Sequence, residues 1–213
     1  MYTFRYDAIV FDFDGTLVQS NKVKTWAFGK LYEKYGGSIV RQVTAYHEEH
    51  RGISRFVKFR HFHEHLLGLP YTDQVEKELS NKYSELVFDA VVRASYVEGS
   101  LEFLEKYHQH LPLFVASGTP EVEIREIITC RGMNRFFRDI YGSPTTKTEI
   151  LRLILSNHHW APERVLMVGD SLVDLEGAQN AKTDFIGVEL SDNLSVFSQR
   201  QCISNFSHFE NLL

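Results

Sequence analysis

Four short runs along the chain, at 8–11, 113–116, 165–168 and 185–188, are apolar at nearly every position. Each is too short for a helix and rich in β-branched or aromatic residues. Successive side chains of a strand point to opposite faces, so such a run is apolar on both. A parallel strand covered by helices on each side requires that pattern. Two weaker runs, 139–141 and 202–203, are further strand candidates. Between the runs the apolar spacing becomes helical. Residues 99–110 carry Leu101, Leu104 and His108 at helical spacing, and 146–157 carry Ile150, Leu151, Ile154 and Leu155 on one face. Thr119 is placed to cap a helix opened by Pro120 and closed at Gly132, with proline at the start and glycine past the end. Strand and helix alternate from Gly99 onward, which predicts an open α/β sheet.

The stretch 21–97 differs in kind. It holds no strand run but four helical patterns, at 23–35, 39–50, 55–67 and 72–92, punctuated by Gly36, Gly37, Gly52, Gly68 and Pro70. The expected division is therefore an α/β core at 1–20 and 98–213, interrupted by a helical block at 21–97 that packs as its own small bundle. Trp26, Phe28, Phe56, Phe59 and Phe62 are expected to build that bundle's interior. His47, His50, His61, His63 and His65 are expected to be solvated. His61 and His65 have a spacing that can hold zinc, but no third ligand accompanies them.

Composition narrows the function. With 213 residues, 43% of them hydrophobic, the chain can bury a sizeable core. A formal net charge of −5 and a pI near 6.1 give no general attraction for nucleic acid. No apolar run approaches the roughly 18 residues of a membrane span. The first residues lack the basic segment, long apolar stretch and cleavage site of an export signal, so a cytoplasmic protein is expected. Cys130 and Cys202 fit no metal-ligand spacing and are expected to be reduced thiols.

The chemistry gathers where strands end. The first run is followed directly by Asp12, Phe13, Asp14, Gly15 and Thr16. Two acids two apart on a strand point to opposite faces, but they can serve one site if the chain leaves strand geometry there, which Gly15 permits. The second run delivers Ser117, Gly118 and Thr119, a hydroxyl and backbone N–H groups at a helix start, suited to an anion. Another delivers Gly169, Asp170 and Ser171, with Asp174 close behind. A single lysine, Lys147, lies between Gly118 and Gly169. Open α/β sheets bind ligands outside the carboxyl ends of their strands. A carboxylate-rich pocket without His or Cys suits a hard cation, magnesium before zinc.

Those residues, in that order, closely resemble the four motifs of the haloacid dehalogenase-like superfamily. The helical block resembles the C1-type cap of its phosphoglycolate phosphatase and β-phosphoglucomutase-like branch. The resemblance implies a Rossmann-like open parallel sheet of order 5-4-1-2-3 with an inserted helical cap at 21–97, and chemistry between the two. It further implies a magnesium-dependent phosphatase acting on a small phosphorylated metabolite through an aspartyl-phosphate. Asp12 would be the nucleophile and Asp14 the acid that then becomes the base. Ser117, Gly118 and Lys147 would bind the phosphoryl group, with Lys147 also offsetting the nucleophile's charge. Magnesium would be held by Asp12, the backbone carbonyl of Asp14 and Asp170, with Asp174 supporting it directly or through water. One departure from many relatives is Pro144, three residues ahead of the lysine rather than beside it.

Alternatives stay open at this point. A phosphomutase shares these residues, and a catalytically silent binding protein shares the fold. A phosphonate-cleaving enzyme would need a cap lysine, for which Lys22, Lys24 and Lys58 are candidates. Asp174 can also serve simply as a helix cap. The chain is expected to be a monomer or weak dimer. Arg51, Arg55, Lys58 and Arg60 face no acid in the sequence until Glu64, so this stretch is a candidate reader of a second anionic group on the substrate.

Overall fold

Alternation inside the apolar runs decides the architecture. Ala8 and Val10 belong to one buried cluster, while Ile9 and Phe11 belong to another. The same split separates Phe114 and Ala116 from Leu113 and Val115, and Val165 and Met167 from Leu166 and Val168. A sheet with both faces covered follows. The computed structural model describes residues 4–189, 197 and 201–213. Six parallel strands are found among them: β1 (Ala8–Phe11), β2 (Leu113–Pro120), β3 (Asp139–Ser143), β4 (Val165–Gly169), β5 (Asp184–Val188) and β6 (Cys202–Ile203). Their order is β3-β2-β1-β4-β5-β6. This is the expected order, with the weak run at 202–203 added as an edge strand. The chain builds outward from β1 in one direction and then in the other, so the topological switch lies between β1 and β4.

Eight α-helices complete the described fold. Those after β1 are α1 (Asn21–Leu31), α2 (Gly37–Glu49), α3 (Arg55–His61) and α4 (Asp73–Arg93). Those among the later strands are α5 (Ser100–Tyr107), α6 (Glu121–Cys130), α7 (Lys147–His158) and α8 (Leu172–Ala181). Local chemistry fixes several boundaries. Thr72 accepts from the Val75 N–H to start α4, and Thr146 with Glu149 forms a capping box on α7. Gly132, at φ +68°, follows the end of α6. Arg131 donates to the carbonyls of Val91, Val92 and Ala94 at 2.7–3.0 Å, satisfying the end of α4 from the sheet side.

Two boundaries depart from expectation. Thr119 does not cap α6; Pro120 holds that position, and the Thr119 hydroxyl turns to Asp14 instead. The helix expected over 55–67 is α-helical only to His61 and continues as a π-helical turn at Phe62–Leu67.

The chain passes from the sheet to α1 and back along adjacent paths. Gln19 donates its N–H to Ser95 and Val97 donates to Leu17, at 2.9 and 3.0 Å. Phe28, Phe59, Phe62, Tyr83 and Val87 are buried among α1–α4, and this apolar cluster runs on without a break into the sheet. Trp26 was expected in that interior but is 52% exposed. His47 and His63, expected in solvent, are buried; His65 is exposed as expected, and Tyr46 lies stacked between His50 and His61. Among the described residues no helix is long and apolar enough to cross a membrane. Cys130 and Cys202 are not joined in a disulfide.

Candidate active site

Because β1, β2 and β4 are parallel neighbours, their carboxyl ends share one edge of the sheet. Asp12 continues the strand pairing, donating its N–H to Val168 at 2.8 Å. Gly15, at φ +81°, then reverses the chain, and its N–H donates to Val18 at 2.7 Å. A Cβ at this position would meet Asp170 and Asn21 at 2.2 Å, so glycine supplies both the turn and the room for Asp170. The chain thus leaves strand geometry where the sequence allowed it, and both acids reach one cavity.

On the first side of the site, Lys147 brings its ammonium 2.9 Å from Asp12 and also pairs with Asp174. Asp12, Asp170 and Asp174 each place an oxygen within 4.8 Å of the others. Asp174 has two duties. One oxygen pairs with Lys147, and the other accepts from the N–H and hydroxyl of Ser171 at 3.0 and 2.6 Å, capping α8. Asn21 donates to Asp170 at 2.7 Å. Burial raises the Asp12 pKa well above the usual carboxylate value, against the pull of Lys147 and with help from Asp174, Asp170 and Asp14. Burial and the Asp174 charge push Asp170 up to about 6. Lys147 is held firmly charged: burial would lower its pKa, but Asp12 and Asp174 together raise it.

Asp14 lies in the opposite situation. It accepts from Ser20 at 2.6 Å, from Thr119 at 3.2 Å, and from the ammonium of Lys24 in α1. Lys24 also donates to the Thr119 hydroxyl at 2.8 Å. Burial works to raise the Asp14 pKa, but the Lys24 charge and these hydrogen bonds outweigh it and hold the carboxyl below its ordinary value. Ser20 and Asn21 were not singled out in the sequence; Lys24 was read only as a candidate cap lysine and Thr119 as a helix cap and part of the anion cradle, not as partners of Asp14. The available signal was position: a helix beginning at Asn21, five residues past Thr16, presents its first turn to the preceding loop.

A cavity of about 50 Å³ separates the strand ends from α1–α4, bordered by Asp12, Asp14, Asp170, Gly118 and Thr119 below and by Lys24, Phe28, His47, Arg51, Arg55, Lys58 and Tyr83 above. Ser117 is buried beside Gly118, and its hydroxyl accepts from the Thr119 N–H at 3.1 Å. The loop after α2 closes tightly on this edge. A Cβ on Gly118 would meet the Gly52 carbonyl at 2.5 Å, and one on Gly52, at φ +78°, would meet the Ser171 hydroxyl at 2.4 Å. The basic stretch divides. Arg55 is committed to Glu123 of α6 and to Ser84, Arg60 is exposed beside Glu64, and Arg51 and Lys58 border the cavity with no ion pair among the described residues.

The donor set fits a divalent metal. Asp12, Asp14, Asp170 and Asp174 bring four carboxyl groups to these strand ends, and among the described residues Lys24 and Lys147 are the ammonium groups in direct ion pairs with them. Burial, and with it the repulsion of neighbouring carboxylates, raises the pKa of Asp12 and Asp170, and a hard cation among their oxygens relieves both.

Comparison with known proteins identifies the family. Residues 9–188 match the family model described as haloacid dehalogenase-like hydrolase. The 5'-nucleotidase of Pseudomonas aeruginosa is 40% identical over 81 residues, 36% of this chain and 37% of that protein, so the chain spans little more than a third of it. The phosphorylated carbohydrates phosphatase of Thermotoga maritima is 24% identical over 82% of this chain and 81% of that one. The phosphoglycolate phosphatase of Photobacterium profundum is also 24% identical, over 87% and 84%. Among solved structures, a predicted phosphoglycolate phosphatase from Haemophilus somnus superposes with a TM-score of 0.79 at 17% identity, covering 99% of each chain. The hydrolase YfnB from Bacillus subtilis, solved bound to magnesium, gives 0.72 at 18%, also covering 99% of each. The family match runs from within β1 to the end of β5 and includes every acid of the cavity, and the chain belongs to the haloacid dehalogenase-like hydrolases.

Proposed function

We propose that this hydrolase is a phosphatase that removes phosphate from a small phosphorylated metabolite through a phosphoaspartate on Asp12. The observation that carries the reading is the buried Asp12 carboxylate held against Lys147, one turn of chain from a second, separately polarised carboxylate, Asp14. In the first step an Asp12 oxygen attacks phosphorus and the ester P–O bond breaks. The electron pair leaves with the alkoxide, which takes a proton from Asp14. In the second, Asp14 removes a proton from water as it attacks the phosphoaspartate, releasing inorganic phosphate and restoring both acids. Splitting hydrolysis this way replaces one hard displacement with two easier ones. Backbone N–H groups near Gly118 and the Ser117 hydroxyl orient the phosphoryl oxygens, and Lys147 offsets the charge of nucleophile and substrate.

Asp12, Asp170 and the Asp14 carbonyl would hold magnesium. Asp174, with both oxygens engaged, would support it indirectly. When bound, the metal supplies charge neutralisation that lets a carboxylate approach a phosphate dianion. The block at 21–97 acts as a cap in this reading, with its paired crossings near residues 18 and 96 as the place where it would pivot. The names of the relatives support phosphate esters as substrates, carbohydrate phosphates and phosphoglycolate among them.

The test is Asp12→Asn. Release of phosphate from an aryl phosphate with magnesium present is expected to fall by at least ~10³-fold, since the nucleophile and a metal ligand go together. Circular dichroism should show an unchanged fold. Turnover within tenfold of the native enzyme would overturn the phosphoaspartate. A phosphomutase shares the first half-reaction, and release of inorganic phosphate separates the two.

A further inference from the structure

Helix α6 holds α4 at two places. Just past its C-terminal end, Arg131 donates to the carbonyls of Val91, Val92 and Ala94 and lies 4.4 Å from the centroid of the Tyr96 ring. Near its start, Glu123 accepts from Arg55 twice, at 2.9 and 2.5 Å, and from the Ser84 hydroxyl at 2.5 Å. Arg55 also donates to the Ser84 hydroxyl at 2.8 Å. The side chains of Arg55 and Glu123 are only 4% and 11% exposed, so this two-fold ion pair is shielded from water. Arg131 stands beside the chain crossings near residues 18 and 96, whereas Glu123 lies two helical turns away, about 12 Å along α6. A cap turning about those crossings leaves the Arg131 contacts nearly in place. The Glu123 contacts have to part.

The same contacts lead to the reacting groups. The Arg55 guanidinium lies 4.6 Å from the centroid of the buried Tyr83 ring. Tyr83 packs on Phe28 with centroids 4.5 Å apart, and its hydroxyl donates to the Lys24 carbonyl at 3.5 Å. Lys24 in turn donates its ammonium to Asp14. Three cap residues thus join Glu123, on one side of the core, to the acid–base carboxylate. With the cap in this position the cavity measures about 50 Å³, far below the roughly 300 Å³ at which small-molecule pockets begin. A phosphate ester reaches Asp12 only with the cap swung out, and Lys24 meets Asp14 only with it swung in.

We propose that Glu123 is a positioning residue of the reaction, a latch that parts from Arg55 and Ser84 to admit substrate and re-forms before phosphoryl transfer. The proposal rests on the phosphatase reading and adds the device that holds its cap shut. A buried two-fold ion pair suits a latch, because it is strong while dry and each ion regains its hydration once the cap opens. Other ion pairs of α6 do not share the role. Arg125 pairs with Glu121 on the same helix and with Asp139 of β3, in partly exposed positions within the core.

Hydrogen exchange and single-turnover kinetics together give the test, on Arg55→Met combined with Glu123→Met and on the control Arg125→Met. Backbone amides at 50–54 and 117–120 lie in the seam where Gly52 closes on Gly118 and Ser171, and they report its opening. In the double variant these amides should exchange at least ~10-fold faster, as a locally opened segment does. Amides at 91–97 and in β1 and β4 should stay as protected as in the native protein. Arg125→Met should exchange at the seam as the native protein does. With enzyme in excess and magnesium present, the double variant should transfer the phosphoryl group of an alkyl phosphate ~10- to 100-fold more slowly, the cost of misplaced catalytic groups. The double variant leaves no buried charge unpaired, so this loss is not a failure to fold. Unchanged exchange at the seam overturns the latch. So does faster exchange spread evenly over the strands, which marks general destabilisation, and so does a seam that opens while the single-turnover rate stays native. Failure of the phosphatase reading looks different: no turnover of any ester that Asp12→Asn removes. Exchange at the seam then still reads whether Glu123 holds the cap shut.

Discussion

Asp14 is asked to give a proton in one step and take one in the next, and its surroundings favour the ionised form. Lys24, Ser20 and Thr119 all donate to it, and its pKa lies below the ordinary value. The ionised form suits the base, whereas the acid must first acquire a proton against the Lys24 charge. Removing that charge by Lys24→Met should raise the Asp14 pKa and increase the protonated fraction at any given pH. Phosphoryl transfer to a poor leaving group needs protonated Asp14, so the falling limb of kcat/KM against pH should move to higher pH for an alkyl phosphate. An aryl phosphate, whose phenolate needs little protonation, should show a smaller shift. A limb that stays in place for the alkyl ester would remove Lys24 from control of this proton. The acids themselves were legible in the sequence because each lies within a few residues of the end of a buried apolar run. Lys24 was not, because its spacing from Asp14 says nothing about how α1 returns over the strand ends. The same holds for Lys58: the local charge was visible, but not its burial against His47.

The elements that lie within one apolar run were readable for the same physical reason, since a strand with both faces covered leaves an unbroken run in the sequence. Even the two-residue strand at Cys202–Ile203 was signalled. Interactions between elements were not. Arg55 of α3 was read as a free cation, but it donates twice to Glu123, 68 residues away on α6, and once to Ser84 of α4. This buried pair ties three helices together across the two expected units. Glu123→Gln should leave the guanidinium buried without its counter-charge and destabilise the fold by about 3–5 kcal/mol. Denaturant unfolding measures it. Arg55→Met combined with Glu123→Met removes both charges and should recover most of that loss, because two desolvated ions are exchanged for apolar packing. A double variant as unstable as Glu123→Gln alone would mean that the ion pair is not what holds α3 to α6.

At the scale of the whole molecule, the carboxylate cluster couples metal binding, pH and stability. Asp170 has a pKa of about 6 and Asp12 one well above the ordinary value, both from burial among like charges and in spite of Lys147. A carboxylate raised in this way is protonated in the metal-free fold at mildly acidic pH. Magnesium must then displace the proton, so affinity falls as pH falls through those values. Between pH 7.5 and 5.5, Asp170 alone accounts for about a fourfold loss, and Asp12 adds to it. Asp14 does not contribute in that window, since its pKa is lowered. A ligand bound only by the folded state stabilises by about 2.7 kcal/mol at a concentration one hundred times its Kd. In a chain of this size each 1 kcal/mol raises Tm by roughly 2–4 °C. Magnesium should therefore raise Tm clearly at pH 7.5 and distinctly less at pH 5.5, with the shift read at each pH against chelated protein. Buried His47 and His63 also resist protonation and lower stability as pH falls, but that effect is common to both samples and cancels. Asp170→Asn should abolish most of the shift at either pH. A magnesium-induced shift of the same size at both pH values would show that the cation is not bound by these raised carboxylates.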